Sequence, residues 1–126
     1  MRNSLFRNRD GAAAVEFAII APVIFAFLFG IFEVGRVMYE QNRVAAAAAA
    51  GARAVTLYGA ADETAIENAI NAKLPYAATI EFEDLTLGSQ EFKKIIITYD
   101  FDFLIKFTEG WSGVTISATR YAPAVS

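Results

Sequence analysis

From Ala12 to Phe32 the chain carries a single ionisable side chain, Glu16, in a run of 21 residues. As an α-helix such a run rises roughly 30 Å, the thickness of a bilayer's hydrocarbon core. Glu33 ends the run, yet no loop signal follows it. Tyr39 and Gln41-Asn42-Arg43 read as the membrane exit, with Arg36, Tyr39 and Arg43 as interfacial side chains. Val44 and the six alanines Ala45 to Ala50 follow, then Gly51-Ala52-Arg53-Ala54-Val55. Alanine is the strongest helix former, and its small side chain also permits close approach of another element. The pattern therefore predicts one helix from about Ala12 to about Leu57, roughly 70 Å long. Pro22 removes one backbone hydrogen bond inside it, which predicts a kink or local unwinding there.

Gly59-Ala60-Ala61-Asp62 closes this helix. Thr64-Ala-Ile-Glu67 fits a capping box, and Asp62 is the competing cap. Ile66, Ala69, Ile70 and Leu74 recur at helical spacing, so a short amphipathic helix is predicted to run to about Leu74, stopped by Pro75. The period then changes. Thr79 to Glu83 alternates apolar with polar, and Gly88-Ser89-Gln90 reads as a turn. Ile95, Ile97, Tyr99, Phe101 and Phe103 share one strand face. Ile96, Thr98, Asp100, Asp102 and Leu104 share the other. After a loop over Lys106 to Gly113, Val114, Ile116 and Ala118 alternate with Thr115, Ser117 and Thr119 in a last strand, ended by Pro123. Three antiparallel strands with one apolar face need a cover. The expected fold is therefore α+β: a long N-terminal transmembrane helix, a short second helix, and a three-stranded antiparallel sheet packed on the long helix.

Composition sharpens this picture. The chain is 56% hydrophobic and 20% charged, against roughly 45–50% and about 25% for average globular proteins. That balance excludes intrinsic disorder. Absence of cysteine and histidine removes disulfides, thiol nucleophiles, the commonest general base and the commonest metal ligand. A net charge of −3 speaks against nucleic acid as a partner. No nucleophile–base set, phosphate-cradling loop or cofactor fingerprint is present, so no enzyme activity, cofactor, metal or small-molecule substrate is expected. The acids Glu81, Glu83 and Asp84, and Asp100 with Asp102, read as solvated strand faces. Trp111 and Phe107, in the last loop, form either an exposed contact patch or a cap over the end of the sheet.

Charge also orients the apolar run. Arg2, Arg7 and Arg9 precede it, and Glu33 and Glu40 follow it. The positive-inside tendency puts the N-terminus in the cytoplasm and the bulk of the chain across the membrane. The run is longer than the core of a cleavable signal peptide, which is about 7–15 residues. Within it, Glu16 costs about 2.5–3.5 kcal/mol on insertion scales. It either reaches head-group water or meets a positive partner.

Gly11-Ala-Ala-Ala-Val-Glu16-Phe17-Ala, a basic leader before it and Pro22 six residues past the glutamate resemble the N-terminus of TadE-like proteins. These are pseudopilins, or minor pilins, of the Flp (Tad) pilus, in the type IV filament superfamily. The likeness covers about the first forty residues. It implies cleavage by a membrane prepilin peptidase between Gly11 and Ala12, leaving Glu16 as the fifth residue of the mature chain. It also implies that Glu16 neutralises the N-terminal ammonium of a neighbouring subunit during assembly, with Phe17 and Pro22 completing the motif. Type IVa pilins begin with a phenylalanine where this chain has Ala12, so methylation is not carried over.

The implied partners are other minor pilins of TadE or TadF type, the major Flp pilin, the prepilin peptidase, the inner-membrane assembly platform and membrane lipid. The corresponding division is a leader over 1–11, a transmembrane part over 12–33, the soluble half of the helix over 34–58, and a periplasmic helix-plus-sheet region over 59–126. The chain would sit in the bacterial inner membrane as a single-pass protein and enter an extracellular, adhesive pilus at its base, tip or shaft. The competing expectation is a signal-anchored periplasmic binding or adhesion module that does not polymerise.

Overall fold

The structure is a computed structural model that describes residues 9–106 and 110–124. Helix α1 runs from Arg9 to Tyr58, α2 from Glu63 to Asn71, and strands β1, β2 and β3 span Thr79–Leu87, Gln90–Asp102 and Gly113–Pro123. The α+β expectation is met element by element. By packing, the chain divides into a unit ending at Val34 and a unit from Gly35 onward. The described residues of the first are the N-terminal part of α1.

In the second unit the rest of α1 presents a buried stripe of Val44, Ala47, Ala48, Gly51, Ala54 and Val55. These positions recur three or four residues apart, one face of a helix. The alanine tract is thus asymmetric: one side is core, and Ala46, Ala49 and Arg53 are exposed. Small side chains here serve close packing. A Cβ on Gly51 would stand 2.8 Å from Cδ1 and Cγ1 of Ile70 and 3.2 Å from Cδ1 of Ile95. The helix ends at Gly59, whose φ of +92° is the left-handed conformation that glycine adopts cheaply.

Asp62 caps α2, accepting a 3.0 Å hydrogen bond from the backbone N–H of Ala65. The choice between the two cap residues thus falls to Asp62. The helix stops at Asn71, a turn earlier than its apolar spacing predicts. Backbone bonds from Lys73 to Ile70 and from Leu74 to Asn71 tighten the exit. Leu74 still reaches the core and is buried with Ile66 and Ile70.

The sheet has strand order β1-β2-β3, antiparallel throughout. Its first hairpin turns over two residues, with Leu87 opposite Gln90 and Gly88 at φ +67°. A glycine in the first loop position suits the twist of such a hairpin. Pairing with β2 draws Asp84 to Leu87 into the ladder, so β1 is longer than its alternation suggests. The inner face carries Ile95, Ile97 and Phe101 of β2 and Ile116 and Ala122 of β3, all buried, with Ile80 and Phe82 of β1 packed at its margin. Phe103 lies just past β2, where its backbone N–H bonds to the carbonyl of Ser112.

Two polar clusters tie these layers together. Lys93 sits on the inner face, in register with Ile95 and Ile97, and its side chain is only 4% exposed. Its Nζ lies 2.6 Å from Glu63 of α2 and 3.0 Å from Asp84 of β1. Burial alone would push this lysine's pKa down, but the two carboxylates outweigh it and hold the pKa above its ordinary value. In the other cluster, the Tyr76 hydroxyl donates to Glu40 at 2.6 Å while its ring stacks on Tyr99 at 3.9 Å. Burial, with the carboxylate as acceptor, raises the Tyr76 pKa far above the phenolic range.

Candidate assembly helix and aromatic loop

The first unit offers a bare apolar surface. Thirteen large apolar side chains between Val15 and Val34 are exposed, five of them phenylalanines. Each gains about 1.5–3 kcal/mol when fully covered, so the segment as a whole stands to gain on the order of 20 kcal/mol. That exceeds the cost of inserting Glu16 several-fold. The balance favours lipid or another helix over water. Among the described residues this is the one helix long and apolar enough to cross a membrane.

The motif residues lie along this helix in order. Gly11 and Ala12 sit in helical backbone. Glu16 and Phe17 follow about one turn later, both exposed. Pro22 lies inside α1, and the helix continues through it without interruption, so the local unwinding expected at this proline does not occur. A shallow apolar trough is lined by Ala26, Phe27, Gly30, Ile31 and Val34. It exists because Ala26 and Gly30, four residues apart, leave a notch between bulkier neighbours.

The residues read as membrane-interfacial are built into the second unit. Arg36 lies over the Phe101 ring at 4.7 Å. Arg43 donates to the Tyr39 hydroxyl at 2.9 Å and pairs with Glu40 at 3.6 Å. Beyond Phe101 the rings continue edge to face, Phe101 to Phe103 at 6.1 Å and Phe103 to Trp111 at 6.4 Å. Trp111 is 68% exposed. Phe107 lies outside the described residues.

The acidic strand residues are engaged by neighbours. Glu83 pairs with Lys94 at 2.6 Å, and Asp100 accepts from the Thr115 hydroxyl at 2.7 Å. No group of three potential metal ligands converges among the described residues. The Lys93–Glu63–Asp84 triad was not singled out from the sequence. Strict alternation from Lys93 through Ile95 and Ile97 is the signal that could have found it.

The family model described as TadE-like protein matches residues 11–53, which is the apolar segment together with the first part of the domain's own helix. No curated protein and no solved structure matches the chain. The match, over about a third of the chain, agrees with the resemblance drawn from Gly11, Glu16 and Pro22.

Proposed function

We propose that this chain is a non-enzymatic TadE-like minor pilin of the Tad/Flp system, cut by prepilin peptidase between Gly11 and Ala12 and assembled through α1 into a pilus initiation, base or tip complex. The observation that supports it most is the coincidence of the family match over residues 11–53 with the exposed apolar helix that carries Glu16. In this reading the helix has two successive environments. Before assembly its apolar side chains face lipid. Afterwards they face the equivalent helices of neighbouring subunits, and the notch at Ala26 and Gly30 lets backbones come close.

Cleavage needs an extended backbone at the scissile bond. Gly11 lies in helical backbone, so the helix has to unravel locally there. Glycine lowers that cost, since it is a poor helix residue. The new Ala12 ammonium and a neighbour's Glu16 carboxylate are each costly alone in lipid. Paired, they recover much of that cost and fix how far one helix slides past the next.

Intact mass of the protein from cells with and without the prepilin peptidase tests the reading. Loss of the mass of Met1 to Gly11 only when the peptidase is present is the expected result. A full-length chain in both strains refutes processing and favours a signal-anchored module.

A further inference from the structure

Two contacts fix the direction of the sheet along its helix. Phe101 of β2 lies under Arg36, and Ile95 faces Gly51. Fifteen helical residues separate Arg36 from Gly51, about 22 Å at the helical rise. Six strand residues separate Ile95 from Phe101, about 20 Å. The near-equality means that β2 lies almost along this part of α1 and runs antiparallel to it. The ring series Phe101–Phe103–Trp111 therefore lies at the end of the domain that contains Gly35 and Arg36. In sequence this is three or four residues after Phe32, the last residue of the apolar run.

That end exposes two large apolar side chains beside the charged Asp102 and Lys106. Leu104 and Trp111 are exposed by 67% and 68%, with Phe103 half-buried behind them. Lys106, exposed in the same segment, supplies a cation suited to lipid phosphate. Tryptophan and tyrosine favour the water–lipid boundary, where the ring is covered and its polar atom stays wet. Tyr39, one turn past Gly35 on α1, is exposed as well.

We propose that Leu104 and Trp111 form a second membrane contact, entering the head-group region of the leaflet that α1 leaves. The inference rests on the reading of α1 as a membrane anchor. Its consequence is orientational. A single helix leaves the attached domain free to tilt, whereas a second contact holds the domain against the membrane until the subunit is extracted into a filament. Extraction then has to release this contact as well as the helix.

Trp111 is the one tryptophan of the chain, so its fluorescence reports this site alone. The full chain is reconstituted into phosphatidylcholine–phosphatidylglycerol vesicles containing phosphatidylcholine brominated either near the head group or near the acyl terminus. Expected are a blue-shifted emission, loss of most of its intensity to the shallow bromines, and little loss to the deep ones. Leu104→Asp, on an exposed side chain, should shift the emission to the red and remove most of the shallow quenching. Three results overturn the proposal while α1 still resists carbonate extraction: emission insensitive to both lipids and fully open to aqueous iodide, deeper quenching exceeding shallow, or a blue shift that grows only with protein concentration. The last would assign the patch to a second copy of the chain. If carbonate releases the protein, the anchor reading fails and the inference fails with it.

Discussion

Lys93 and its two carboxylates make an unequal triad, and the inequality has a measurable sign. The Lys93 side chain is 4% exposed, while those of Glu63 and Asp84 are 52% and 79% exposed. Neutralising both acids, as Glu63→Gln with Asp84→Asn, leaves a buried cation without countercharge. Breaking a buried pair from this side costs about 3 kcal/mol. Lys93→Met removes the buried charge, keeps most of the packing volume, and leaves two carboxylates that water already reaches. Its cost should stay within about 1 kcal/mol. For a domain of this size the double variant should melt roughly 10–25 °C below the parent. Urea unfolding of the detergent-solubilised protein, followed by hydrogen exchange at the β2 amides, reads the difference without interference from the apolar part of α1.

The pH dependence separates the two states further. In the parent, the folded-state pKa of Lys93 is raised. Its contribution is therefore complete below the unfolded lysine value, near about pH 10, and is lost as pH rises through the higher folded value. In the double variant burial acts alone and depresses the folded pKa. Stability should then increase as pH rises toward about 10, the opposite slope. Equal costs for the two variants, or a larger cost for Lys93→Met, would refute this account of the triad.

Asp62→Ala should destabilise α2 by about 1 kcal/mol, because Asp62 accepts the Ala65 N–H, whereas Thr64→Ala should cost no more than a few tenths; thermal melts rank the two. Gly113→Ala would drive a Cβ into the backbone carbonyl of Phe101 at the start of β3. It should cost about 2 kcal/mol or more and raise hydrogen exchange at the β3 end of the ladder. Glu16→Ala should leave membrane insertion intact, since it removes a charge from lipid, but should sharply reduce piliation counted by electron microscopy; normal piliation would exclude the register role.

Most of the architecture follows from local patterns. An apolar run of bilayer length, then an alanine tract, then period-two alternation specify a long helix and a sheet, because side-chain direction is set by the local backbone period. The same residues carry the resemblance to TadE-like proteins, since a basic stretch, a glycine and a charge in a greasy segment are linear features. Other outcomes depended on partners distant in sequence. Asp84 to Leu87 have weak strand character and became strand because β2 offered their backbone a ladder. Which alanines became core was settled by the sheet and α2 closing on one side of α1.

Lys93 shows the limit most clearly. Its charge argues for solvent and its register argues for the core. Only the arrival of Glu63 from α2 and Asp84 from β1 made the buried position affordable. Arg36 and Trp111 were likewise separate polar and aromatic residues until folding placed both along one series of rings. The sequence by itself determined the apolar helix, its lone carboxylate and the order of elements, all of which need only neighbours along the chain. The tertiary structure alone decided which charges could be buried and which end of the domain presents its aromatic side chains, because both depend on contacts between residues that the chain keeps far apart.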